Sequence, residues 1–144
     1  MSRIVVAGIV EFAPEIRDEA LIKGRELIEG AYTEKGCIHY LWTADLNHPG
    51  RVVVYEEWEC ADDLEAHLKG EWYRNMFGHL AQFNIVSAET NKFRIDRKEP
   101  VYGKDGIATA MEEATSQSVI CLLYTSPSPR DQRGSRMPSS ALKK

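Results

Sequence analysis

Between Val52 and Leu68 the chain changes period, and that switch limits what it can build. Val52, Val53, Val54, Tyr55 and Trp58 are β-branched or aromatic, which suits a half-buried pleated strand. Leu64 and Leu68 then lie four apart with His67 beside them, the spacing of one helix face. Asp62 and Asp63 stand at the changeover, where carboxylates can cap a helix and favour its positive end. A strand therefore delivers Glu56 or Glu57 and Trp58 to a sheet, and a helix carries His67 back across it. A carboxylate, an indole and an imidazole over apolar surface are the ingredients of a small-molecule pocket.

The flanking segments supply the rest of a sheet. Ile4 to Phe12 is an apolar run that reads as a central strand. Pro14 is placed as a first helical residue, and Ile16, Ala20, Gly24, Leu27 and Ala31 make one apolar stripe over about four turns, stopped by Gly36. Cys37 to Thr43 is a second strand, with Ile38, Tyr40 and Trp42 on one face and His39 and Leu41 on the other. The turn Asn47-His48-Pro49-Gly50 leads into the strand with Trp58 but leaves the register open by one residue, so Trp58 shares a face with either Tyr40 or His39. After a break at Lys69-Gly70, Trp72, Tyr73, Met76, Phe77 and Leu80 form an aromatic helix face. Asn84 to Ile95 reads as a fourth strand, and Ile107 to Ala114 as a short arm helix.

The order β-α-β-β-α-β predicts an α+β, ferredoxin-like split β-α-β domain with an antiparallel sheet. Such a sheet carries helices on one face only. A second copy is the simplest cover for the other, which predicts a homodimer joined near the strand around Asn84 to Ile95.

Composition narrows the function classes. Residues 1–120 hold 13 basic and 21 acidic side chains, and an acidic domain without a basic stripe argues against nucleic acid. No apolar stretch reaches membrane-spanning length, and Met1-Ser2-Arg3 leads into the first strand without a signal-like apolar region. Cys37, Cys60 and Cys121 make neither a disulfide framework nor a metal spacing, which fits a cytoplasmic protein.

We divide the chain into a domain at 1–97, an arm at 98–120 and a tail at 121–144. Cys121-Leu122-Leu123-Tyr124-Thr125-Ser126-Pro127-Ser128-Pro129-Arg130-Asp131 resembles the frame translation of a transposon-based DNA sequencing adapter. That resemblance implies a tail foreign to the natural reading frame. Its Pro, Ser and Arg content, lack of periodicity and inverted charge agree, so we set it aside.

Residues 3–97 carry Gly36-Cys37-Ile38-His39-Tyr40, Pro49-Gly50-Arg51, Tyr55-Glu56-Glu57-Trp58 and Leu64-Glu65-Ala66-His67 in that order. In these pieces the chain resembles the antibiotic biosynthesis monooxygenase family, with quinol monooxygenases nearest in style. The resemblance implies a dimeric α/β barrel and an oxygenase that uses neither metal nor flavin on quinols, phenols or polyketide aromatics. Members acting on aromatic polyketides have an asparagine four residues before the strand Trp and a tyrosine six after it. Those places hold Val54 and Leu64, so only Trp58 carries over. The asparagine that haem-degrading relatives place on the first strand is also missing, which disfavours that activity.

Each candidate residue has a functional and a plainer reading. Trp58 is a pocket wall or a large core residue at a sheet end. His67 is a general base on a phenolic hydroxyl, since its ordinary pKa lies near working pH, or a satisfied core histidine. Glu56 and Glu57 are adjacent, so one faces inward, where it orients His67 or pairs with an arginine. Tyr40, Trp42, Trp72, Tyr73 and Phe77 stack on an aromatic substrate or simply fill the core. His39, His48 and His79 lack companions at ligand spacing, so no metal site is expected. Cys60 reads as inert for want of an activating neighbour.

The leading expectation is a cofactor-independent monooxygenase that oxidises a quinol or related phenol with dioxygen, with His67 and Trp58 as catalytic residues. The substrate would be bound by Tyr40, Trp42, Glu56, Trp72, Tyr73 and Phe77. The alternatives are a non-enzymatic dimeric barrel that binds a small aromatic, or a histidine-dependent isomerase or dehydratase.

Overall fold

The computed structural model describes residues 2–110. The chain divides after Arg97 into two units. In the first, four strands form one antiparallel sheet: β1 (Arg3–Glu11), β2 (Cys37–Ala44), β3 (Arg51–Trp58) and β4 (Ser87–Ile95), in the order β2-β3-β1-β4. Helices α1 (Arg17–Lys23) and α2 (Arg25–Tyr32) join β1 to β2, and α3 (Ala61–Leu68) and α4 (Glu71–Leu80) join β3 to β4. This is the ferredoxin-like α+β arrangement that the element order predicts.

Three local expectations need correction. The first helix is two: the chain bends at Gly24, where the imidazole of His79 packs so closely that a Cβ would lie 3.1 Å from it. Pro14 lies in a turn ahead of α1, which starts only at Arg17. β4 begins at Ser87 because Asn84 takes a left-handed conformation (φ 52°) after a 3₁₀ turn at Ala81–Phe83. In the second unit, the described part of the expected arm helix, residues 107–110, is not helical. Tyr102 and Ala108 bridge instead around a turn in which Gly103 N–H donates to the Ile107 carbonyl at 3.0 Å. The remainder of that helix and the tail lie outside the described residues.

At the head of α3 the carboxylates act through the helix dipole rather than as caps. Cys60 is the N-cap residue, without a side-chain cap, and Asp62 and Asp63 occupy the first turn. Asp63 is buried, where it accepts the Cys60 thiol proton at 3.3 Å.

The core fills the space between the sheet and the helices in two clusters. Ile4, Ala31, Tyr40, Trp58, Leu64 and Met76 form one, and Val10, Phe12, Ala20, Val52 and Val54 the other; Trp42 and Leu80 pack against both. Gly8 marks a close approach of β1 and β4, since a Cβ there would lie 2.1 Å from the Glu89 carbonyl oxygen.

Candidate functional site

Pairing settles the register that the turn leaves open. Tyr40 pairs with Glu56, and a bulge between Cys37 and His39 lets Cys37 pair with Trp58. Tyr40, Glu56 and Trp58 therefore share the helix-covered face, whereas His39, Tyr55 and Glu57 share the open one. Glu56 and Glu57 face opposite ways, as adjacent strand residues must.

Across the sheet, the pairings align one row on the covered face: Tyr40, Glu56, Val6 and Lys92. The next row is Trp42, Val54, Gly8 and Thr90. Apart from Gly8, these rows floor a cavity of about 400 Å³, roofed by Leu64, Leu68, Tyr73, Met76, Phe77 and Leu80 from α3 and α4. Its size suits a small aromatic molecule. Of the residues singled out in the sequence, Tyr40, Trp42, Glu56, Tyr73 and Phe77 line it.

Trp58, His67 and Trp72 are not part of its wall. Trp72 lies over Gly30, where a Cβ would meet its ring at 2.3 Å, so it docks α4 on α2. Trp58 is fully buried, and its indole N–H donates to Glu56 Oε2 at 3.0 Å. The ring of His67, 2% exposed, lies 4.7 Å from that of Trp58, with Tyr40 and Tyr73 edge-on at 5.4 and 5.7 Å.

The partner of His67 is Glu34, which the sequence reading did not select. His67 Nδ1 donates to Glu34 Oε1 at 2.6 Å, rather than to Glu56. Glu34 lies in the loop after α2, two residues before Gly36, which turns with φ 79° tight against Asp63 at the head of α3. The sequence signal is slight: an acid two residues before a helix-stopping glycine. A row of contacts thus runs from the cavity inward: Glu56, Trp58, His67, Glu34.

Electrostatics separate the polar groups of the cavity. Burial raises the Glu56 carboxyl above the usual range, and the Trp58 N–H and the nearby His67 only partly offset this. Burial, reinforced by the charge of Glu56, pushes the Tyr40 hydroxyl well up, so it stays a donor. The Trp42 indole N–H is buried without a well-formed acceptor. It lies near enough to the Tyr40 oxygen to favour the phenolate, but burial dominates. Cys37 is pushed up to about 11 by burial and then by Glu34 and Glu56, which leaves a thiol. No three His, Cys, Asp or Glu side chains gather as a metal would require, among the described residues.

A one-sided antiparallel sheet with an apolar cavity under two helices, floored by a carboxyl and a phenol, defines a class of small α+β proteins with a ligand-sized cavity between sheet and helices. Residues 3–78 match the sequence profile of the antibiotic biosynthesis monooxygenase family, and the chain belongs to it. Solved structures agree on the fold. A conserved protein from Methanosarcina mazei is 28% identical, with a TM-score of 0.59 over 65% of this chain and 93% of that one. A Deinococcus radiodurans protein, provisionally assigned as an antibiotic biosynthesis monooxygenase, is 18% identical, with a TM-score of 0.63 over 69% of this chain and 99% of its own. An uncharacterized Synechocystis protein is 24% identical over 92 residues, which span 64% of this chain and 63% of that protein.

Proposed function

We propose that the chain is a cofactor-independent monooxygenase that oxidises a quinol or related electron-rich phenol, with Glu56 as the base facing the substrate. The observation that carries this reading is Glu56 itself. It is a carboxyl of raised pKa in the floor of an apolar cavity, beside a hydroxyl that remains protonated. A base whose pKa is lifted toward neutrality is matched to a phenolic proton. Once Glu56 has taken that proton, the phenolate passes one electron to dioxygen. The resulting radical pair joins at a ring carbon, and the peroxide loses water to leave a quinone. Tyr40 and Trp42 donate to the substrate oxygens, and the apolar roof keeps the radical pair from water.

His67 and Trp58 serve this scheme from behind the wall. Trp58 orients the Glu56 carboxyl, and His67, fixed by Glu34, supports Trp58 and contributes positive charge when protonated. Oxygen uptake with a panel of hydroquinones, on protein stripped with chelator and free of flavin, tests the reading. Uptake abolished in Glu56→Gln supports it. Saturable tryptophan quenching without uptake would establish a binding protein instead. The same carboxyl–phenol pair also suits proton transfer in an isomerase, which substrate-proton exchange without oxygen uptake would reveal.

We further infer a homodimer joined through the open face of the sheet, a role supported by the exposure of Phe93 and Leu41 on that face. Sedimentation showing only monomer at micromolar concentration would refute it.

A further inference from the structure

We infer that the cavity is built for a hydroxylated aromatic that also carries an anionic group, with Lys92 as its anchor. This rests on the reading of the cavity as a phenol site and narrows its substrate class. Three observations converge on it.

The first is the floor row Tyr40, Glu56, Val6, Lys92. Lys92 stands on the same face as Glu56, two strand spacings away, or about 9–10 Å of backbone. An apolar side chain, Val6, lies between them. Val6 gives an apolar stretch of floor between Glu56 and Lys92 on which a flat ring can span the two polar ends.

The second is the state of Lys92. Its side chain lines the cavity, yet among the described residues its ammonium makes no hydrogen bond or ion pair. Glu65, an acid whose charge it favours, is held by Lys69 at 2.7 Å. A cation at the mouth of an apolar cavity, in a domain with an excess of acids, favours anionic ligands only locally. The third is the far end, where the Trp42 indole N–H has no well-formed acceptor and the Tyr40 hydroxyl remains a donor. Two donors there suit a ligand hydroxyl or carbonyl oxygen, not a second anion, because Glu56 adjoins them. The polarity of the cavity is therefore directional: neutral oxygen inside, negative charge outside.

The test uses 2,5-dihydroxybenzoate and its neutral amide, with binding followed by tryptophan quenching on the full chain. The acid should bind about fivefold more tightly than the amide, the scale of a lysine–carboxylate pair at a rim open to water. That preference should fade with salt, vanish in Lys92→Gln and return in Lys92→Arg, while affinity for the amide stays constant. Lys92 is exposed, so these variants leave the core intact. Equal binding of acid and amide to the unaltered protein, or a preference that survives Lys92→Gln, overturns the anchor. Oxygen uptake on the same samples separates the two claims. Preferred binding of the acid without uptake removes the oxidation and keeps the anchor; uptake with no preference for the acid removes the anchor and keeps the oxidation.

Discussion

Glu56 and Glu57 are neighbours on one strand, each 7% exposed, and the fold gives them opposite fates. Glu57 lies on the open face, where Arg3 donates to it at 2.8 Å and the Tyr55 hydroxyl at 3.0 Å. Glu56 lies on the covered face, where its hydrogen bond comes from the neutral indole of Trp58. A guanidinium stabilises a carboxylate's charge in place, whereas an indole leaves most of the desolvation cost standing. Equal burial thus yields an ion pair on one side and a carboxyl of raised pKa on the other. The partner, rather than the depth, sets how strongly each carboxylate is held in its charged form.

The sharpest way to break the contrast is to replace each by glutamine. Glu56→Gln keeps the acceptor for Trp58 and removes the base, so turnover should fall by about 10²- to 10⁴-fold. Its fold should survive, because a buried charge is lost while the hydrogen bond remains. Glu57→Gln should leave turnover per folded molecule near the original and act on stability alone. Equal losses of turnover in the two variants would erase the distinction.

pH sharpens it further. The folded pKa of Glu56 is raised, so between the ordinary glutamate value and the raised one the folded state holds more protons than the unfolded. This group's contribution to stability therefore falls as pH rises through that window, while activity climbs as the base ionises. Melting temperature and turnover, measured across pH on one preparation, should move in opposite directions there. Glu56→Gln should flatten the stability trend that this group contributes.

His67 tests the depth of the row behind Glu56. His67→Ala opens a hole among three aromatic rings and strands Glu34, so we expect a stability loss of about 1–3 kcal/mol by denaturant titration. Turnover should drop less than in Glu56→Gln, since the cavity wall keeps its base. A larger drop in His67→Ala than in Glu56→Gln, with the fold intact, would return the base role to the histidine.

How much of this was legible beforehand follows from the range of each signal. The period switch at Cys60 and the break at Gly70 are local, and both mark element boundaries where the sequence places them. The split of the first helix at Gly24 was not read from the apolar stripe, which runs on across it, and the His79 ring that packs there arrives from 55 residues away. The same limit governs the site. Alternation alone sends Glu56 and Glu57 to opposite faces, but whether Tyr40 or His39 shares the face of Trp58 depended on the hairpin register, in which Tyr40 pairs with Glu56 and which the turn residues leave open by one. His67 was found by its helical spacing. Its partner Glu34 lies in the loop after α2, 33 residues away, so helical spacing gives no sign of it.

The smallest effect belongs to the open face. Arg3→Met removes the guanidinium that Glu57 accepts while keeping an apolar side chain along β1. The side chain of Arg3 is 39% exposed, so water screens the pair and partly replaces the lost bond. Glu57 also keeps the Tyr55 hydroxyl. We therefore expect a loss of about 0.5–1 kcal/mol, read from the denaturation midpoint. Turnover should be unchanged, because the covered face is not touched. Concentration makes the measurement more telling. If a second copy covers this face, burial removes the screening, and the cost of Arg3→Met should grow in the dimer. Sedimentation would then show weaker association than in the unaltered protein. If the variant associates as well as the original and loses turnover, the two faces are coupled, and the partition drawn between Glu56 and Glu57 is wrong.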